Sequence, residues 1–307
     1  MYETIFHRRM MLGGVSLGGQ ERDALDDATA AVLKKAQEVE SADKNHPVCE
    51  LTWKDVADES VAYFLESHTV GQSNVNSITL EWSHFFSLVD HNEVEGIIMD
   101  SFFFAVFSSI DLPQGVRMMP TGFASSLDVA VLMDWKERWR PFRKVLFPAH
   151  FSWNHWVLYV VDVDVDIEKV TITCYDSLSE SRALGKEAEE RGKKIGGLMA
   201  EALKYSFDGD VTFPDETPLQ EKTDCGVFVV VFALCAAFDI PLSRVAQLLS
   251  SSEPVLRLRK AIATVILQSA SWSAGLKDCV AEIVQRRQVC KDRGLRRRHY
   301  RAQYRGQ

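Results

Sequence analysis

The chain reads as a mixed helix-and-strand fold, on three observations. Two Val-rich runs, His155 to about Asp164 and Lys169–Tyr175, flank a polar turn as the arms of a β-hairpin do. Helix-spaced segments lie on both sides of that hairpin, at 21–40 and 182–205 among others. Near residue 225 a polar loop meets an almost wholly apolar run, Val227–Phe238, at an Asp-Cys-Gly junction.

Taken in order, residues 21–40 have helical periodicity with acids in the first turn and predict a surface helix appended to the main domain. Residues 41–50 are polar, hold Pro47 and read as a linker, and Leu51–Ser67 reads as helical. Ser77–Ile110 is rich in apolar and aromatic residues and predicts packed helices, closed by Asp111-Leu112-Pro113-Gln114-Gly115. Ser126–Arg140 predicts a helix, and Lys144–Phe147 a short strand stopped by Pro148. The hairpin follows, with Asp162, Asp164 and Asp166 alternating with valines on a polar strand face near the turn, a pattern of period two that needs no metal. Arg182–Tyr205 predicts a helix broken at Gly192 and Gly196-Gly197, and Val211–Phe213 a short strand ended by Pro214. Val227–Phe238 is ambiguous: its Val-rich start suits a strand, while its length and Ala content suit a buried helix. Ser252-Glu253-Pro254 starts a last helix, with a capping hydroxyl and an early Pro, that runs to about Gln268.

At 307 residues, 46% of them hydrophobic and 25% charged, the chain has the composition of a globular protein able to bury a sizeable core. Its apolar runs fall short of a membrane span, and Met1–Arg9 leads into no long apolar segment. The expectation is an intracellular protein, of nucleus or cytoplasm, with no membrane partner. The six cysteines have no CxxC spacing, which argues against a zinc ribbon and a secreted disulfide scaffold. No metal or organic cofactor is expected.

Charge is uneven. Arg286–Gln307 carries nine Lys/Arg and one acid, leaving 26 basic and 42 acidic residues, a net charge of −16, for the rest. Such a tail suits a nucleic-acid or import-receptor contact, or is simply a solvated terminus. The expected organisation is a helical extension and linker over 1–50, a catalytic domain over 51–275 and the basic tail over 276–307.

The residues that suggest chemistry are His155, Asp176, Gln220 and Cys225. A thiol has an ordinary pKa of about 8.5, so a reactive cysteine needs its thiolate stabilised. An imidazolium and the positive end of a helix are the two usual devices. His155 offers the first, and Cys225 gains the second if Val227–Phe238 is a helix. Asp176, at the end of the second hairpin strand, would hold the imidazole by its other nitrogen. Gly226 lets a substrate backbone come close. Gln220, with the Cys225 backbone N–H, would meet a developing oxyanion. Singly these residues have bland readings: a part-buried structural histidine, a turn-forming Asp, a loop Gln, a buried thiol. Their order, with an aromatic after the His, is what points to a thiol hydrolase.

The segments VLFPAHFSWNHWVLYVVDV (145–163), VTITCYDSLSES (170–181), LQEKTDCGVFVVVFALCAAF (219–238) and LRLRKAIATVIL (256–267) resemble the ubiquitin-like-protein-specific cysteine proteases, the SUMO (sentrin) protease family, distantly akin to the adenovirus protease. With weaker likeness over 78–107, the resemblance covers roughly 75–270. It implies a papain-like α+β fold: a central mixed sheet flanked by helices, the nucleophile at the N-terminus of a buried helix. It implies hydrolysis after the Gly-Gly C-terminus of a modifier, with Cys225 as nucleophile, His155 as general base and acid, Asp176 as orienter, Gln220 as oxyanion donor and Trp156 walling a narrow tunnel. The partners it implies are ubiquitin-like modifiers of the SUMO, ubiquitin or neddylation class and their conjugates, with SUMO favoured. The chain departs from the family pattern in three ways: a shorter spacing from Gln220 to Cys225, a longer His–Asp interval, and no second tunnel tryptophan near Glu93–Ile97. A deubiquitinase or deneddylase of the same fold, an acyltransferase using the same Cys-His-Asp set, and a non-enzymatic modifier-binding module are the alternatives.

Overall fold

A computed structural model describes residues 19–39, 44–52, 77–109, 115–126, 142–151, 154–178, 182–249, 251–274 and 276–278. Of the two segments predicted helical, 51–67 and 126–140, all but Leu51, Thr52 and Ser126 lie outside these residues, as does the basic tail 286–307; Leu51 and Thr52 are in a strand, not a helix. Among the described residues no helix is long and apolar enough to cross a membrane.

In chain order the elements are α1 (Gly19–Glu38), β1 (Pro47–Thr52), β2 (Ser77–Glu81), α2 (Trp82–Phe86), α3 (Gly96–Ser109), β3 (Val116–Met118), α4 (Phe123–Ser126), β4 (Lys144–Phe151), β5 (His155–Asp164), β6 (Lys169–Tyr175), α5 (Arg182–Leu203), β7 (Ser206–Thr212), α6 (Cys225–Ala237), α7 (Ala246–Leu249), α8 (Ser252–Ser269) and β8 (Ser271–Trp272). A five-stranded mixed sheet has the order β3-β4-β5-β6-β7, and a second sheet of three strands has the order β2-β1-β8. The central hairpin has the predicted limits, set by a Val-rich run that ends in Val-Asp alternation, a polar turn and the alternating β6. Asp164 closes that turn by accepting the backbone N–H of Asp166 and Ile167.

The β5 side chains divide two cores. Trp156, Leu158 and Val160 face a core built around α6, which also holds α3 and α8. Val157, Tyr159, Val161 and Val163 face the other, under α5. The ambiguous apolar run is the helix α6, and every residue of it except Ala236 is buried. β-Branched residues are stiff in a helix. Burial on all sides outweighs that preference, as expected for a helix apolar all round its circumference. Lys144 Nζ donates to Ala236 O (3.0 Å) and pairs with Asp239 (2.6 Å), placing a cation on the C-terminal end of α6.

Several expectations are corrected. α1 is not a surface helix on all sides: Leu25, Ala28, Val32 and Ala36 are buried in the α6 core. The expected linker contributes β1, which begins at Pro47 and pairs with β2. Ser77–Glu81, predicted within packed helices, is the strand β2, whose burial alternates in its second half. β4 runs through Pro148 to Phe151. It can do so because β3 pairs only with Lys144–Leu146, so the missing Pro148 N–H costs no ladder bond on that side. α5 is unbroken, and its glycines serve close approach: a Cβ on Gly196 would lie 2.6 Å from the Phe207 ring, and one on Gly192 would lie 2.9 Å from Val211. Ser251 rather than Ser252 stands at the N-cap of α8, and its hydroxyl makes no cap bond.

Candidate active site

Cys225 is the first residue of α6, so its sulfur sits where the unpaired N–H groups concentrate positive potential. It is 2% exposed. Asn154, in the turn before β5, has a positive φ of 54°, which Asn tolerates better than most residues. That turn aims the Asn154 carbonyl at the thiol, 3.9 Å from Sγ.

His155 begins β5 and is almost wholly buried. Its Nε2 lies 2.7 Å from Asp176 Oδ1, just past the end of β6. The same carboxylate oxygen accepts the Leu178 N–H at 2.8 Å, which fixes its orientation. With Nε2 engaged, Nδ1 is the nitrogen left to meet the thiol. Burial alone would lower the His155 pKa. Hydrogen bonds to the side chains of Asp176 and Cys225, and the negative charge of both groups, outweigh it and raise the imidazole to about 9. A charged imidazole beside the sulfur is the arrangement a thiolate requires. Burial lifts Cys49 and Cys235 to about 12 and Cys174 well above its ordinary value, which keeps those three thiols protonated.

Gln220 is held at two points by Ser177. Its backbone N–H donates to Ser177 O at 3.0 Å, and Ser177 Oγ donates to Gln220 Oε1 at 2.9 Å. Holding the amide by its oxygen leaves the NH2 as the end that can meet a ligand. Asp176-Ser177 thus positions both the imidazole and the glutamine.

Trp156 is buried, packed at a tilt of 47° against the His150 ring with centroids 4.5 Å apart, and its indole N–H donates to Val94 O at 3.0 Å. Gly226 is required by the same segment, since a Cβ there would lie 2.7 Å from Val94 Cβ. The chain at Val94–Gly96 therefore covers both Trp156 and Gly226, and an aliphatic residue stands in the region where the resemblance led us to look for a second tryptophan.

The sequence reading missed Asn154, Ser177 and a buried network around Asp224. Asp224 Oδ1 accepts Arg259 Nε (2.9 Å) and Nη2 (2.6 Å), while Oδ2 meets His91 Nδ1 at 2.8 Å. Arg259 also donates to Ser87 O and Thr223 O. A signal for Arg259 was present: it falls on the apolar stripe of α8 with Val255, Ile262 and Ile266, all buried. A cation on a buried stripe demands an anion. Among the described residues no group of three or more His, Cys, Asp or Glu side chains is arranged to hold a metal.

A thiol at a helix N-terminus, a charged imidazole and a carboxylate behind it define a cysteine peptidase of the papain-like class. Comparison points the same way for one segment: residues 134–269 match the model of the Ulp1 protease family, C-terminal catalytic domain. The resemblance read from the sequence is thereby borne out, and this segment is a cysteine-peptidase domain of the ubiquitin-like-protein-specific type. Among solved structures, the yeast Ulp1 C-terminal protease domain in complex with Smt3, the yeast ortholog of SUMO, is 19% identical, with a TM-score of 0.54 over 83% of this chain and 97% of that one. It shares the fold. The Ulp1-like SUMO protease catalytic domain of Chaetomium thermophilum is 18% identical, with a TM-score of 0.47 over 69% of this chain and 90% of that one. No curated protein matches the chain.

Proposed function

We propose that this chain is a thiol-dependent protease and isopeptidase that cleaves after the Gly-Gly C-terminus of a ubiquitin-like modifier, with SUMO its first substrate. The observation that carries the reading is the His155–Asp176 pair beside the thiol at the head of α6, inside the matched segment. That a solved protein of the same fold is bound to Smt3 supports SUMO as the choice among modifiers.

In this mechanism the Cys225 thiolate adds to the carbonyl carbon of the terminal glycine, forming the C–S bond. The carbonyl oxygen takes the negative charge and is met by the Gln220 amide and the Cys225 backbone N–H. As the C–N bond breaks, His155 gives its proton to the departing amine, which leaves as a free lysine side chain or a new peptide N-terminus. His155, now neutral, takes a proton from water as it attacks the thioester, and the modifier leaves as its free carboxylate while Cys225 is restored. Asp176 holds the ring and stabilises its charged form in both halves. Trp156 borders the strip along which the glycines pass, whereas the space left by Gly226 is taken by Val94 and not by substrate backbone, as the sequence had suggested.

The test is hydrolysis of a SUMO C-terminal fluorogenic amide beside the ubiquitin equivalent. The reading expects SUMO turnover that disappears in Cys225→Ala. Turnover retained in that variant sinks it, and turnover of the ubiquitin substrate alone moves the assignment to a deubiquitinase of the same fold.

A further inference from the structure

We propose that Arg259 is a positioning residue for the thiol: it holds and neutralises Asp224, the acidic neighbour of Cys225 in the chain, so that this carboxylate does not oppose the thiolate. The inference rests on the reading of Cys225 as nucleophile.

Asp224 is 3% exposed and Arg259 1% exposed, so neither charge is screened by water. The guanidinium is always charged and presents a rigid fork. It places Nε and Nη2 on one carboxylate oxygen and donates further to the carbonyls of Ser87, from Nη1, and Thr223, from Nη2. Asp224 stands at the N-cap of α6 but its carboxylate makes no cap bond; it is turned away toward α8. The Asp224 main-chain oxygen receives the first α6 bonds, from Val227 (2.9 Å) and Phe228 (3.1 Å), so fixing Asp224 also fixes the start of the helix that carries the sulfur. His91 meets the second carboxylate oxygen from the wall of an open pocket of about 420 Å³.

Other charged or titratable groups on the segments meeting the start of α6 include His155 at the start of β5, His150 near the end of β4, Asp176 after β6, Glu93 and Glu95 beside Val94, and the exposed Glu221 and Lys222 just upstream of Asp224; Lys144, Asp162 and Asp164 lie at the far ends of β4 and β5. Of these Asp176 is occupied by His155. Asp224 is the acid fixed by covalent connection next to the sulfur, and Arg259 is the cation placed on it. With Arg259 removed, a buried unpaired carboxylate would remain beside the thiol and hold it protonated to higher pH.

The experiment is the rate at which iodoacetamide alkylates Cys225, followed by peptide mass between pH 5 and 10 (the chosen range, about the span in which thiols titrate), in wild type, Arg259→Met, Asp224→Asn and the double variant. One unit of thiol pKa is about tenfold in thiolate fraction below that pKa. Arg259→Met is expected to move the profile to higher pH by at least about one unit, Asp224→Asn to move it to lower pH, and the double variant to return it near wild type. A purely structural role would move the two single variants the same way and leave the double at least as impaired, and that result overturns the proposal. If Arg259→Met does not fold, the Asp224→Asn direction and the double variant decide. Profiles that coincide while wild-type Cys225 reacts refute the network alone. If wild-type Cys225 is unreactive, both the nucleophile reading and this proposal fall.

Discussion

His155 Nε2 and Asp176 Oδ1 stand 2.7 Å apart, the imidazole at the start of one strand of a hairpin and the carboxylate just past the end of the other. The pairing is built by the turn between them: Asp164 sets the hairpin, the antiparallel register opposes Leu158 to Tyr175, and the strand ends converge on α6. The sheet thus fixes the imidazole and the carboxylate against each other before any substrate arrives.

Replacing Asp176 by Asn keeps the shape and removes the charge. The expected loss in kcat is roughly 10²–10⁴-fold, since the imidazole loses the partner that orients it and favours its charged form. The alkaline limb of the pH–rate profile, near pH 9 in wild type from the His155 value, moves to lower pH in Asp176→Asn. Steady-state rates against pH on a modifier amide check both effects.

His155 also links stability to pH. Its folded value of about 9 lies above its ordinary 6.5. Its contribution to stability is therefore complete below about pH 6.5 and fades as pH rises through about 9. Thermal melts of wild type should lose several degrees across that window relative to His155→Gln. Parallel melting curves against pH would refute it.

Ser177→Ala removes the hydroxyl that anchors Gln220 and leaves the backbone bond in place. We expect kcat to fall about tenfold or more and KM to hold, with Gln220→Ala costing about 10²–10³-fold in kcat. The double variant should be no worse than Gln220→Ala, because both changes act on one donor. Additive losses would mean that Ser177 acts elsewhere.

Gly226→Ala places a methyl 2.7 Å from Val94 Cβ, both in backbone-proximal positions that cannot swing away. A destabilisation of about 1–3 kcal/mol is expected from overpacking. The displaced Val94 segment also carries the carbonyl that holds Trp156, so KM should rise as well. Denaturant midpoints and steady-state kinetics measure the two separately.

The hairpin was legible from local signals, period-two alternation and a turn, while His155, Asp176, Gln220 and Cys225 were singled out by their order along the chain and by the Asp-Cys-Gly junction. What the sequence hid depends on contacts made far along the chain. Pro148 looked like a strand stop because the shortness of β3, which excuses its missing N–H, is a property of the assembled sheet. Gly192 and Gly196 looked like helix breaks because Val211 and Phe207, which need the space, arrive on the following strand. The form of Val227–Phe238 was open because four valines argue for a strand, and only enclosure by sheet and helices decides for a helix. The Asp224–Arg259 pair spans 35 residues, and its signal in the α8 stripe names a buried cation without naming the partner. Ser177 belongs to the Tyr-Asp-Ser run within 170–181, but its hold on Gln220 depends on a contact 43 residues along the chain.

The most direct test of the account is a set of modifiers ending in a cysteine-reactive electrophile, built on SUMO, ubiquitin and the neddylation modifier and scored by intact mass. The account predicts that the SUMO probe adds one modifier to the wild-type chain and none to Cys225→Ala. An adduct that persists in Cys225→Ala, or a folded wild-type chain that captures none of the three, would contradict it.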